Sequence, residues 1–423
     1  MGNFLKQSFF GLLLNSGCLF LLLIINGITV AQTKDLGYYI DVAIKNSPLI
    51  KDIQNKVASN KIDIDRVKLS YGPQVYGTSN NTIAPVIGGI GYDAALTNIA
   101  SFNELVNVSK NFASKGNLNT QYNAINLLND SFLSVRKMSE QDLKRTITAQ
   151  YITTYGDQQQ MVFYTSMITA LKEHEHIIRN LTESNIYRQT DYLTFLVTIK
   201  QQELQLKQLS IQAENDLAIL NYLCGIFDTT NFNLNTPATN VQELPDANSS
   251  VFFLHYKTDS ITLRNELSLL NYSYKPKVNA FANAGFSSSL QYDAYKNFGY
   301  SFGINVAVPI YDGHQKKLLE KKLDLAINTV SNYRDFFSVQ YTQEISRLKR
   351  QLSSTEALID DINEQIKYSQ ALIDVNRKLL GTGDAKIADF VIAINNYLAA
   401  KNLLTQNNLS RMQIINQINY WNK

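Results

Sequence analysis

Between Tyr300 and Ile310 bulky apolar residues alternate with small or polar ones: Tyr300, Phe302, Ile304, Val306, Val308 and Ile310 against Ser301, Gly303, Asn305, Ala307 and Pro309. That period of two predicts a strand with one apolar face. Lys277 to Ser288 repeats the pattern through Val278, Ala280, Ala282, Ala284 and Phe286, a hairpin partner across a loop rich in Tyr, Asp and Lys. Elsewhere the period is seven. Ile345, Leu352, Ile359, Ile366, Ile373 and Leu380 form a heptad row, with Leu348 and Ile362 between them, as in a helix packed on other helices. Thr355, Ser369 and Asn376 at the alternate positions predict several neighbours rather than one zipper partner. The prolines, at 48, 73, 85, 237, 245, 276 and 309, leave 86–236 and 310–423 free of proline, where helices can run long. Gly313 to Leu380 as one helix would extend about 100 Å at ~1.5 Å per residue. Gly381, Thr382 and Gly383 then break it before a returning helix from Asp384 to Trp421.

The same order occurs earlier in the chain. Tyr71, Gly72 and Pro73 answer Tyr274, Lys275 and Pro276 at an offset of 203, while Asp191 answers Asp389 and Tyr222 answers Tyr420 at 198. The chain is therefore two copies of one unit, each a short helix, a strand pair, a very long helix, a tip and a returning helix. The first strand pair, about 73–83 and 97–110, is weaker: Phe102, Val106 and Val108 alternate, but Glu104 and Asn107 interrupt. The organisation expected is a first repeat over 32–226, a linker or equatorial segment over 227–262 and a second repeat over 263–423. The fold class is mainly α with a small β part.

An apolar run from Phe9 to Val30, after Lys6 and before Ala31, reads as a secretory signal over 1–31, cleaved after Ala31. An uncleaved anchor is the alternative. Gly17 and Cys18 raise a third, a lipidated Cys18, against which Asn15 stands where an aliphatic residue is wanted. Of the two cysteines only Cys224 then remains, so no internal disulfide forms. A net charge of +3 over 423 residues gives no field for nucleic acid, and a mean hydropathy of -0.17 excludes a polytopic helical membrane protein.

Catalytic patterns are present but misplaced. Gly299, Ser301 and Gly303 match a nucleophile-elbow spacing, yet Ser301 lies inside an alternating strand, whereas the elbow needs a sharp turn into a helix. His174 and His176 flank Glu175, but residues two apart on a helix point about 200° apart and cannot share an ion. Gly88, Gly89 and Gly91 lie between strands and open no helix, so a phosphate cradle is not expected there. No enzyme, cofactor or metal site is expected.

Two copies supply four strands. Four strands cannot close a membrane barrel and open edges are not tolerated in lipid, so a chain that spans must oligomerise. At eleven residues of about 3.3 Å, tilted about 45°, the strand at 300–310 matches the roughly 25 Å apolar band of an outer membrane.

On several local patterns the chain resembles the TolC-like outer-membrane efflux proteins. Ala43, Asn46, Ser47 and Pro48 are similar to that family's opening. Tyr274, Lys275 and Pro276 resemble its strand start. Val308, Pro309, Ile310, Tyr311, Asp312 and Gly313 resemble its strand-to-helix corner, with His314 in place of a second glycine. Gly383, Asp389 and Ala393 resemble its tip motif. The resemblance implies a homotrimer whose twelve-stranded barrel stands in the outer membrane lipid above a periplasmic α-helical tunnel. It further implies a passive exit duct joined through a periplasmic adaptor to an inner-membrane transporter. Family restraint positions at the aperture read Leu380 and Ala385 here, and Ile186, Tyr187, Arg188 and Gln189 replace the glycine tip in the first repeat. The cargo and the pump class are not written in these residues.

Within that frame Gly381, Thr382 and Gly383 form an adaptor-docking tip. Asp389, and Asp191 at the matching place, form a carboxylate ring at the aperture; the competing role for each is to favour a helix start. Arg188, Arg377 and Lys386 are the nearby cations. The alternative function is a secreted or periplasmic coiled-coil interaction protein without channel activity, which accounts for the heptads but not for the strand at 300–310.

Overall fold

The structure is a computed structural model and describes residues 34–93, 97, 99–227, 234–243, 250–289 and 295–422. The segment 1–31 read as a secretory signal, with Cys18, lies outside the described residues. The elements run α1 (Leu36–Asn46), α2 (Pro48–Ser70), β1 (Gln74–Ile83), β2 (Ala100–Phe112), α3 (Lys115–Glu183), α4 (Gln189–Cys224), α5 (Val251–Ser273), β3 (Lys277–Ser288), β4 (Phe298–Ala307), α6 (Gln315–Thr382) and α7 (Ile387–Tyr420). Helix α5 begins inside the segment read as linker, because Ser250 accepts from the Phe252 N–H at its start and Val251, Phe252 and Phe253 are buried. Strand β4 stops at Ala307, before Pro309, which has no N–H for a ladder. Gly313 and His314 then both take left-handed φ, 66° and 67°. The Lys316 N–H donates to Asp312 Oδ2 at 2.7 Å and opens α6.

The four strands form one antiparallel sheet in the order β1-β2-β3-β4. Its register sorts the side chains. One face carries Val75, Ile83, Phe102, Val106, Val108, Val278, Ala280, Ala282, Ala284, Phe286, Phe298, Tyr300, Phe302, Ile304 and Val306. Asn107 lies on the opposite face and interrupts nothing. Glu104 does sit on the apolar face, where Ser79 Oγ and Asn81 Nδ2 donate to its Oε1 at 2.7 and 3.0 Å. Gly285 is demanded by the β2–β3 approach: a Cβ there would stand 2.0 Å from the Glu104 carbonyl.

By compactness the chain divides into two units. One comprises 44–146, 239–364 and 410–423 and holds the sheet. Its core packs Val251, Phe252 and Phe253 against Phe337, Tyr341, Tyr420 and Trp421, with Leu348, Ile414 and Ile418 beside them. The Arg145 guanidinium stands 4.3 Å over the Tyr420 ring, and Asn416 Nδ2 donates to the Arg145 carbonyl.

The other unit comprises the chain to Ala43, Ile147–Ala238 and Gln365–Leu409. Tyr39 and Tyr151 meet edge to face in it. The segment 234–243 is tied to α3: Tyr151 Oη donates to the Asn235 carbonyl, and the Leu234 N–H donates to Gln158 Oε1, both at 2.8 Å. Nearby, Asp157 faces Asp216, whose carboxylate accepts from Gln150 and Gln212. Burial first, then the Asp216 hydrogen bond and charge, push Asp157 up to about 7. Cys224 is buried at the end of α4, and burial alone pushes its thiol up to about 12.

Along the middle of α6 burial departs from the isoleucine row, whose ends, Ile345 and Leu380, are buried. Leu348 and Ile362 are 0% and 2% exposed, and Ser369 and Asn376 are buried too, whereas Leu352, Ile359, Ile366 and Ile373 are half-buried. The polar members fit because each spends a donor on its own helix: Thr355, Ser369 and Asn376 donate to the carbonyls of Gln351, Gln365 and Leu372, four residues back.

Candidate functional site

The α3–α4 and α6–α7 hairpins end in two tips that pack together in the second unit. Both tips close by the same hydrogen bonds. In the second repeat the Gly383 N–H reaches the Leu380 carbonyl and the Asp384 N–H reaches Leu379. In the first, the Asn185 N–H reaches Thr182 and the Ile186 N–H reaches Leu181. Each donor and acceptor is displaced by 198 residues, the offset that relates Asp191 to Asp389. This is a helix end turned by one left-handed residue, Gly383 at φ 82° and Asn185 at φ 60°. Asn tolerates that region better than any other residue with a side chain apart from Asp. Gly381 does not turn: it is a helical residue of α6 with open space where a Cβ would go. Gly381, expected to break the helix together with Thr382 and Gly383, thus stays within it, and the break falls at Gly383 alone. Thr382, the last residue of α6, donates to Asp384 Oδ2 at 2.7 Å, its Oγ1 also lying 3.0 Å from the Leu379 carbonyl.

Tyr187 joins the tips. Its hydroxyl lies 3.1 Å from the Leu380 carbonyl and 2.9 Å from that of Ala385, the residue at its own place in the second repeat. Burial, then the Asp384 charge, raise its pKa. Beneath lies a shared core of Leu171, Ile178, Phe195, Ile199, Leu380, Ile387, Phe390, Ile394 and Leu398, with Phe195 stacked on Phe390 at 6.2 Å. Leu380 is therefore a core residue, and Ala385 is half-buried against it.

A polar cluster stands on one side of this core. Glu175 accepts from Arg179 and, at 2.8 Å, from Tyr192 Oη; the Tyr192 bond first, then Arg179, hold the carboxyl below its usual range. The His174 ring instead meets Phe390 edge to face at 5.5 Å, and burial lowers its pKa. Glu203 joins the hairpin's two helices, bonded by Lys172 and Lys200, both at 2.7 Å, which hold it down to about 2.

Asp191 and Asp389 are each the third residue of their helix, α4 and α7, where a negative charge faces the helix dipole. Asp389 is exposed and Asp191 half-buried, and neither enters an ion pair among the described residues. Arg188 is the N-cap of α4 and makes no side-chain cap bond. Arg377 pairs with Asp374 at 3.2 Å rather than with either aspartate, and Lys386 is exposed. Sequence reasoning named Tyr187 only as replacing the glycine tip and passed over Asn185; the offset of 198 points to both.

The other motifs are structural. Ser301 Oγ lies 2.8 Å from Asn283 Oδ1 across the sheet. Gly88 and Gly89 take left-handed φ between the bridged Ile87 and Ile90, a tight turn in the β1–β2 loop.

No family model matches the sequence, and no curated protein does. Solved structures match over nearly the whole chain. CusC, described as forming a transmembrane channel, is 11% identical with a TM-score of 0.75 over 92% of both chains. The outer membrane protein VceC of Vibrio cholerae is 10% identical with a TM-score of 0.71, covering 92% of this chain and 96% of its own. The outer membrane channel CmeC of Campylobacter jejuni is 13% identical with a TM-score of 0.70, covering 92% and 85%.

Proposed function

We propose, from a fold shared with outer-membrane channels of the TolC-like type, that this chain is the outer-membrane duct of an efflux or secretion system. It would be a passive homotrimer, coupled through a periplasmic adaptor to an inner-membrane pump. The sheet carries the reading. Its apolar face is bare, with Phe302 79% and Ile304 70% exposed, and β1 and β4 each leave one edge unpaired within the chain. An apolar face of this kind suits lipid, and edges in lipid must be paired by another copy. Three copies of four strands would close twelve. A coiled-coil interaction protein in water has no use for this face, which would be a predicted aggregation site.

The tips, with their left-handed turns and exposed Thr382, are the surface assigned to the adaptor; Asp389 and Asp191 are the carboxylates assigned to the aperture. Two measurements test the reading. Mass determination of the detergent-extracted protein should give three chains, and planar bilayers should show stepwise conductance. A monomer without conductance overturns it.

A further inference from the structure

The face of the sheet opposite the apolar one is almost wholly uncharged. Register places Thr78, Asn80, Ser101, Asn103, Asn107, Ser109, Asn111, Asn279, Asn283, Ser287, Ser301 and Asn305 on it; among the described residues of this face Lys277, at the first position of β3, is the one charge. Its amides and hydroxyls bond to one another. Asn107 Nδ2 donates to Thr78 Oγ1 at 2.8 Å, Asn279 Nδ2 to Asn111 Oδ1 at 2.9 Å, and Ser287 Oγ to Asn103 Oδ1 at 2.7 Å. The two strand acids and bases that could have lined it, Glu104 and Lys110, lie on the apolar face instead.

We propose that this amide and hydroxyl face is the lumen wall of the barrel and that it passes polar solutes without regard to the sign of their charge. Discrimination by charge is then made elsewhere in the duct. This rests on the channel reading. Its chemistry is direct: each asparagine side chain offers two donors and an acceptor, so a permeating polar group exchanges water for amide with no fixed charge to repel or trap it. Pores that select by charge use rings of charged side chains, and past Lys277 at the start of β3 this face has none along the strands.

Thiol accessibility tests the proposal without requiring current. Asn107→Cys, Asn283→Cys and Asn305→Cys, in lipid vesicles, are treated with a cationic and an anionic water-soluble thiol reagent, against the parent protein as background. All three should react, and after correction for each reagent's rate with a free thiol the two rates should agree within about threefold, as expected where no charge ring biases local ion concentration. Val106→Cys and Ala284→Cys should stay unreactive. A rate ratio above about tenfold, or reaction at 106 and 284 with none at 107 and 283, overturns the proposal. Ser301→Cys serves as a second site on β4 should Asn305→Cys fail to assemble. Conductance recorded on the same samples separates the two readings: the expected thiol pattern without current removes the channel and leaves the wall, while current with a strongly biased rate ratio removes the neutral wall alone.

Discussion

The Tyr187 hydroxyl donates to the Ala385 carbonyl at 2.9 Å, so one tip is fastened by the residue that stands at the same place in the other. The same hydroxyl lies within reach of the Leu380 carbonyl. Replacing it with Phe keeps the ring and loses both contacts, a loss of about 1–2 kcal/mol. Hydrogen exchange should show the Gly383 and Asp384 amides opening faster in Tyr187→Phe. Unchanged exchange there would mean that the ring, not the hydroxyl, joins the tips.

The two glycines of the second tip should respond oppositely. Gly381→Ala replaces glycine in a helix with free space around it and should stabilise by about 0.5–1 kcal/mol. Gly383→Ala forces a Cβ into a left-handed residue 3.1 Å from Ile186 Cγ2 and should destabilise by about 1–2 kcal/mol. Asn185→Gly should be tolerated. Thermal melts of the three variants decide, and equal effects at 381 and 383 would be incompatible with the tip geometry.

Ile362, 2% exposed, lies deeper than its half-buried neighbour Ile366. An aspartate at 362 leaves an unpaired charge in the packing and should cost several kcal/mol; at 366 the loss should be smaller. Denaturant midpoints of Ile362→Asp and Ile366→Asp give the ranking, and the reverse order would relocate the seam to the isoleucine row.

Asp157 carries a pH signature. Its folded pKa is raised to about 7, so the fold binds its proton more tightly than the unfolded chain does. The associated stability is present in full below pH ~4 and is lost as pH rises through about 7. With discount for its partial exposure the effect is on the order of 2 kcal/mol. Melting temperature should fall between pH 5 and pH 8 in the parent and less steeply in Asp157→Asn. Parallel slopes would exclude the Asp157–Asp216 pair as the cause.

At the aperture, Asp389→Asn should lower the preference for cations over anions in planar bilayers and weaken block by multivalent cations. Selectivity and block equal to the parent would place Asp389 outside the lumen and return it to its role at the start of α7.

Much of this architecture was legible in the residues. Strand β3 spans Lys277–Ser288 as its alternation requires, because a half-exposed strand declares itself by period. The repeat offset relates the two tips, although Ile186 to Gln189, set against the glycines, lie past the turn that Asn185 makes. What escaped reading has physical causes. Asn185 was passed over because only glycine was sought at a left-handed turn. Gly381 is helical since one left-handed residue suffices to end α6. The buried line along α6 includes Ser369 and Asn376, which interrupt the apolar pattern; their bonds to their own backbone, invisible to a hydropathy pattern, let them enter. Glu104 looked like a flaw in β2, and only the register reveals Ser79 and Asn81 beside it.

The self-contained bonding of Ser369 and Asn376 has a mechanical consequence. Since the Ser369 hydroxyl and one Asn376 amide N–H are committed within α6, these positions turn fewer donors toward whatever packs beside them, a surface with little directional preference. Turning α6 about its axis near the tip would then exchange dispersion contacts for similar ones, at nearly level energy. Resistance would gather at the far end of the lever, in the two carbonyls gripped by Tyr187, so that a force applied at the tip meets a bearing along the shaft and a single catch at its end.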